Sequence, residues 1–87
     1  MYGEGQLEYI ELDFDASVYP NIIDKFGKDI HPYSVENGMY RIQVKHIINK
    51  TFYSWIIGFG GSIQISGNEK QIYRFKDFLL SNFINNE

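Results

Sequence analysis

Cysteine is absent from the 87 residues, so neither a disulfide framework nor a Cys-ligated zinc site is open to this chain. No apolar run approaches the ~18 residues that a membrane-spanning helix requires. The N-terminal stretch Met1–Asp13 has neither the basic segment nor the apolar segment of a secretory signal, so a cytoplasmic location is the expectation. Positive charge is scarce as well, with 8 Lys and Arg against 11 Asp and Glu and a net charge of −3. A chain of that sign is poorly suited to binding the phosphate backbone of duplex DNA on its own. With only two histidines, His31 and His46, few groups titrate near neutrality.

Aromatic residues, by contrast, are plentiful: seven Phe, seven Tyr and one Trp. Each can bury roughly 150–250 Å², which helps one small domain assemble an adequate core. Residues 1–6 carry two glycines and no periodicity, and read as a flexible lead-in to a single domain over 7–87. In Tyr9–Asp15, apolar Ile10, Leu12 and Phe14 alternate with Glu11, Asp13 and Asp15, which predicts a half-buried strand. Val18, Ile22 and Phe26 are four apart and predict a helix, with Ser17 as its cap, Pro20 in the first turn and Gly27 as its stop. A second strand is expected over 29–36, on an edge because Pro32 cannot donate to a ladder.

Asn37-Gly38 is a strong hairpin signal, since both residues tolerate positive φ. It leads into a third alternating strand, Tyr40–His46. Lys50–Phe59 follows as a helix that places Phe52, Trp55, Ile56 and Phe59 inward, capped by Asn49 or Thr51 and ended by Gly60-Gly61. Ser62–Ser66 is a short strand, with Ile63 and Ile65 inward. Asn68–Gln71 has the form of a capping box opening a last helix that buries Ile72, Phe75, Leu79 and Phe83. The order β-α-β-β-α-β plus a helix predicts an α+β, ferredoxin-like two-layer sandwich with an additional C-terminal helix. In that arrangement the first and third strands are central neighbours, and acidic Glu11 and Asp13 face basic Arg41 and Lys45.

No catalytic pattern emerges. Asp13 and Asp15 have no further ligand spaced to complete a metal site, and a solvated face explains them better. Gly58–Gly61 follows a helix instead of preceding one, so it reads as a helix stop and not a phosphate loop. The loop after the first strand, Asp15-Ala16-Ser17, lacks the arginine that acyl-phosphate hydrolysis on this fold requires. For RNA, the third strand offers Arg41, Gln43 and Lys45 outward while Tyr40 turns toward the core, leaving Tyr9 as the one residue placed to stack a base. Tyr53 falls off the main helical stripe and is expected partly exposed, available to a partner.

Three segments together resemble a known family. They are Leu12–Asp15 with Ile22–Ile30, then Glu36–Ile42, then Phe52–Gly61 with Ile63–Ile65. This pattern, which runs over residues 7–83, is similar to the C-terminal extension (WCX) domain of bacterial WYL-domain, DeoR-like helix-turn-helix regulators. The resemblance implies a fragment of a larger transcription regulator, joined to upstream helix-turn-helix and WYL domains. It also implies a homodimer and an effector, either a small molecule or a nucleic acid. Phe14, Phe26, Trp55 and Phe59 match the family's core positions, and Gly27, Gly38 and Gly60 its turns. The chain departs from the family in having no Trp-Tyr-Leu segment and in carrying Asn68 where a proline is usual. From the residues themselves, Glu11, Asp13, Arg41, Gln43, Lys45, Gln64 and Tyr53 are the expected partner or effector surface, with no cofactor, metal or catalytic group. The alternative is a free-standing ferredoxin-like module that binds a small metabolite.

Overall fold

A computed structural model describes the backbone of residues 5–84 and the side chains of residues 5–82. Met1 to Glu4 of the expected lead-in, and the expected burial of Phe83, lie outside the described residues. Among the described residues the architecture is α+β, one four-stranded antiparallel sheet with three α-helices, the last running on into a π turn over Leu80–Ile84. In chain order the elements are β1 (Gln6–Asp15), α1 (Tyr19–Phe26), β2 (Tyr33–Ser34), β3 (Met39–Ile48), α2 (Lys50–Ile57), β4 (Ile63–Ser66) and α3 (Glu69–Leu79). The strand order is β2-β3-β1-β4, so β1 and β3 are neighbours at the centre.

Strict alternation along β1 and β3 divides the sheet into a dry face and an open one. Ile10, Leu12 and Phe14 of β1, Ile42, Val44 and Ile48 of β3, and Ile63 and Ile65 of β4 are all buried on the dry face. The helices close it through Ile22 of α1 and Phe52, Tyr53 and Ile56 of α2, with Ile72, Phe75 and Phe78 of α3 packed at the margin. Of the family-motif residues, Phe14 is fully buried, between Tyr19 and Tyr40. The half-buried Phe26, Trp55 and Phe59 form an edge-to-face chain with centroids 5.6 and 5.2 Å apart.

Several local expectations need correction. β1 begins at Gln6, earlier than Tyr9, because ten residues of β3 stand ready to pair with it and Gln6 lies opposite Ile48. β2 is two residues long instead of spanning 29–36, since a turn at 28–29 and the missing N–H of Pro32 leave only Tyr33 and Ser34 to pair. Ser17 does not cap α1. The Asp15 carboxylate accepts the Ser17 N–H and hydroxyl, forming a 3-10 turn over Ala16–Val18, and α1 starts after Val18 with no side-chain cap. α2 stops at Ile57, where the Gly58 N–H closes onto the Ser54 carbonyl.

The glycine-dependent turns form, although Gly27 does not take the left-handed cap conformation that its place after Phe26 suggests. Asn37 and Gly38 both take positive φ, 65° and 73°, and the Met39 N–H closes the turn onto the Glu36 carbonyl. Gly27 ends α1 at φ 91° and ψ 173°, a region that essentially only glycine occupies. Gly60 also has positive φ. Asn49 caps α2 by accepting the Phe52 N–H at 2.9 Å. At α3 only half of the capping box forms. Asn68 accepts the Gln71 N–H at 3.1 Å, but the Gln71 side chain turns away toward β1, and Gln71 becomes the buried residue of α3. Ile72, Phe75 and Leu79 are half-buried.

Candidate interaction face

The open face of the sheet gathers most of the residues singled out from sequence. Its side chains are the odd-numbered ones of β1 and β3, with Gln64 and Ser66 of β4 and Tyr33 of β2. Glu11, Asp13, Arg41, Gln43, Lys45 and Gln64 all lie here, brought together by the register Asp13↔Arg41, Asp13↔Gln64 and Glu11↔Gln43.

At one end, charge is organised around Arg41. Its Nε and Nη2 donate to the two Asp13 oxygens at 2.6 and 3.0 Å, and Nε also lies 2.9 Å from Glu11 Oε2. Ser66 Oγ donates to Asp13 Oδ1 at 3.1 Å. The Arg41 hydrogen bonds, helped by Ser66, hold the Asp13 carboxyl below the usual range, and Asp13 in turn raises the Arg41 guanidinium above its own. The expected cross-strand attraction therefore runs from both acids to one arginine. Lys45 takes no part in it. Its ammonium sits 5.2 Å from the centre of the Tyr9 ring, a cation–π contact with its cross-strand neighbour.

At the other end the face turns apolar. Leu7 and Ile47 are directly opposite one another, 56% and 38% exposed, beside Tyr9 at 72%. Back at the charged end, Tyr33 lies opposite Arg41 and is 49% exposed. Leu7, Ile47 and Tyr33 are absent from the set read off the sequence. Carrying the period of two back to Leu7 and forward to Ile47 would have found two of them. Tyr33 depended on how short β2 turned out to be.

Tyr53 does not belong to this surface. It is 8% exposed, its ring within 5.3 and 5.0 Å of Phe75 and Phe78, and burial pushes its hydroxyl pKa up. The helical wheel of α2 alone leaves Tyr53 off the stripe; α3 then supplies a second wall that covers it. Tyr40 lies on the dry side against Phe14, yet at the end of the sheet it stays 38% exposed.

His31 is exposed on the loop before β2, and His46 is half-buried against Phe26 and Phe52, at 5.5 and 5.0 Å. Among the described residues, no three His, Cys, Asp or Glu side chains are grouped to hold a metal ion. No helix among them is long and apolar enough to cross a membrane. No protein-family model, curated protein or solved structure matches the chain.

Proposed function

We propose that this chain is a non-catalytic, ferredoxin-like interaction module, the C-terminal extension domain of a cytoplasmic bacterial WYL-type transcription regulator. In this reading its open sheet face meets a neighbouring domain, the dimer mate or an effector-bearing surface. The observation that carries it is the composition of that face. An apolar end (Leu7, Ile47, Tyr9) adjoins a charged end whose Arg41 is fixed between two carboxylates, while the whole helix layer lies on the opposite side. A rigid surface with an apolar patch and a polar rim is the usual form of a protein docking site. The ferredoxin-like assignment is supported by β1 and β3 as central antiparallel neighbours with β2 and β4 outside them.

The test is charge reversal in the full-length regulator that this reading implies. Lys45→Glu is the cleaner variant, because Arg41→Glu would add a third carboxylate beside Glu11 and Asp13. Lys45→Glu should weaken dimerisation or shift the effector response, and the change should shrink as salt is raised, as it does for altered charges at interface rims. Unchanged dimer affinity together with an unchanged response overturns the proposal.

A further inference from the structure

We propose that the outer edge of β3 accepts an extended acidic segment of another polypeptide as an additional strand. The Val35 N–H donates to the Met39 carbonyl at 2.8 Å, which shows that odd-numbered backbone groups of β3 point toward β2. Alternation directs the N–H and C=O of Gln43 and Lys45 the same way. β2, however, begins only at Tyr33, opposite Arg41, and among the described residues leaves β3 beyond that point without a partner strand on this side. Among the described residues, no backbone hydrogen bond joins the preceding loop to Gln43 or Lys45. The Ile47 carbonyl, next along, is met by His46 Nδ1 at 2.9 Å, which closes the slot at that end.

Beside this open edge lies a cleft of about 710 Å³, between β3 and the segment from Lys25 to His31. Its volume is within the range of ligand-holding pockets. Side chains of an added strand would alternate between two environments. Those on the helix side meet Phe26 and Ile30, and those on the open side meet Lys45. Charge selects the occupant. Lys25 and Lys45 both line the cleft, and each ammonium rests on an aromatic ring, Trp55 and Tyr9 respectively, with no carboxylate ion-paired to it among the described residues. Asp29 is the single acid in the lining. Pairing with a second copy of the same edge is disfavoured, since it brings two Lys45 side chains together on one face. A foreign strand alternating acidic and apolar residues fits both walls. This inference stands apart from the regulator reading, which concerns the face of the sheet and not its edge.

The experiment is a titration of the isotope-labelled chain with a capped hexapeptide alternating valine and glutamate, followed by amide shifts and hydrogen exchange. The controls are the lysine-for-glutamate peptide and free glutamate. Saturable shifts at the Gln43 and Lys45 amides, with slowed exchange at both, are expected by about 2 mM peptide, the weak end of specific affinity. Binding should weaken about tenfold in Lys45→Glu and with the lysine peptide, the effect of losing one or two partly exposed charge pairs. Gln43→Pro, which removes an outward N–H that an edge strand does not use internally, should abolish the peptide-induced exchange protection at the Lys45 amide while leaving the fold intact. Equal binding of both peptides, the same shifts with free glutamate, shifts confined to Leu7 and Tyr9, or no shift at all would each overturn the proposal.

Discussion

Gln71 offers a sharp test of how the sheet is finished. β4 pairs with β1 only as far as Ser66 opposite Glu11, so the next outward-facing carbonyl of β1, that of Tyr9, has no strand to meet. The Gln71 side chain takes that place. Its Nε2 donates to the Tyr9 carbonyl at 2.9 Å and to Glu8 Oε1 at 2.9 Å, and the residue is only 5% exposed. Gln71→Met keeps the length of the side chain and removes both donors. A neutral hydrogen bond contributes about 1 kcal/mol and a charged one more, while Glu8 keeps Arg74 at 2.7 Å, so the expected loss is about 2 kcal/mol. For a domain of this size that lowers Tm by about 8–16 °C, readable by circular dichroism. Gln71→Glu should cost more at neutral pH, because it sets a carboxylate against Glu8. Repulsion raises its folded pKa, so the penalty is present above that pKa and relieved as the pH falls below it. A Gln71→Met domain within about 0.5 kcal/mol of the parent, together with a pH-indifferent Gln71→Glu, would refute the edge-capping role.

Two further outcomes follow from the same geometry. Asp13 and Glu8 are held below their ordinary values, chiefly by hydrogen bonds from Arg41 and Arg74 respectively. Their contribution is complete above the unfolded carboxylate range, about pH 4, and is lost as the pH falls through the lower folded values. Urea unfolding should therefore show stability dropping below about pH 4, with a shallower drop in Asp13→Asn. Tyr53→Ala should cost about 3 kcal/mol by emptying the space between Phe52, Phe75 and Phe78, whereas Tyr53→Phe should stay within about 1 kcal/mol. If Tyr53→Ala melts like the parent, the ring is not part of the core.

The strands of this protein were legible because alternation is a local property. Ile10, Leu12 and Phe14 announce a dry face without reference to any other part of the chain, and Ile42 and Val44 do the same for β3. Helix α1 and the Asn37-Gly38 turn were equally local, the former set by four-residue spacing and the latter by tolerance of positive φ. Six of the seven residues expected on the partner surface share one face for the same reason. Tyr53 was misplaced because its burial comes from α3, more than twenty residues away in the chain. β2 was drawn too long because β-propensity over 29–36 does not show that the turn at 28–29 and Pro32 keep the chain off β3, which itself runs on to Ile48.

Periodicity and turn chemistry were thus enough to establish an α+β chain with one wet and one dry sheet surface, since each follows from neighbours along the backbone. Packing in three dimensions settled the rest. It determined that Arg41 serves both acids while Lys45 rests on Tyr9, that Gln71 abandons its capping box to close an unfinished edge, and that β3 keeps an open flank. Those outcomes depend on strand register and on where an edge strand stops, which arise only when segments distant in sequence meet.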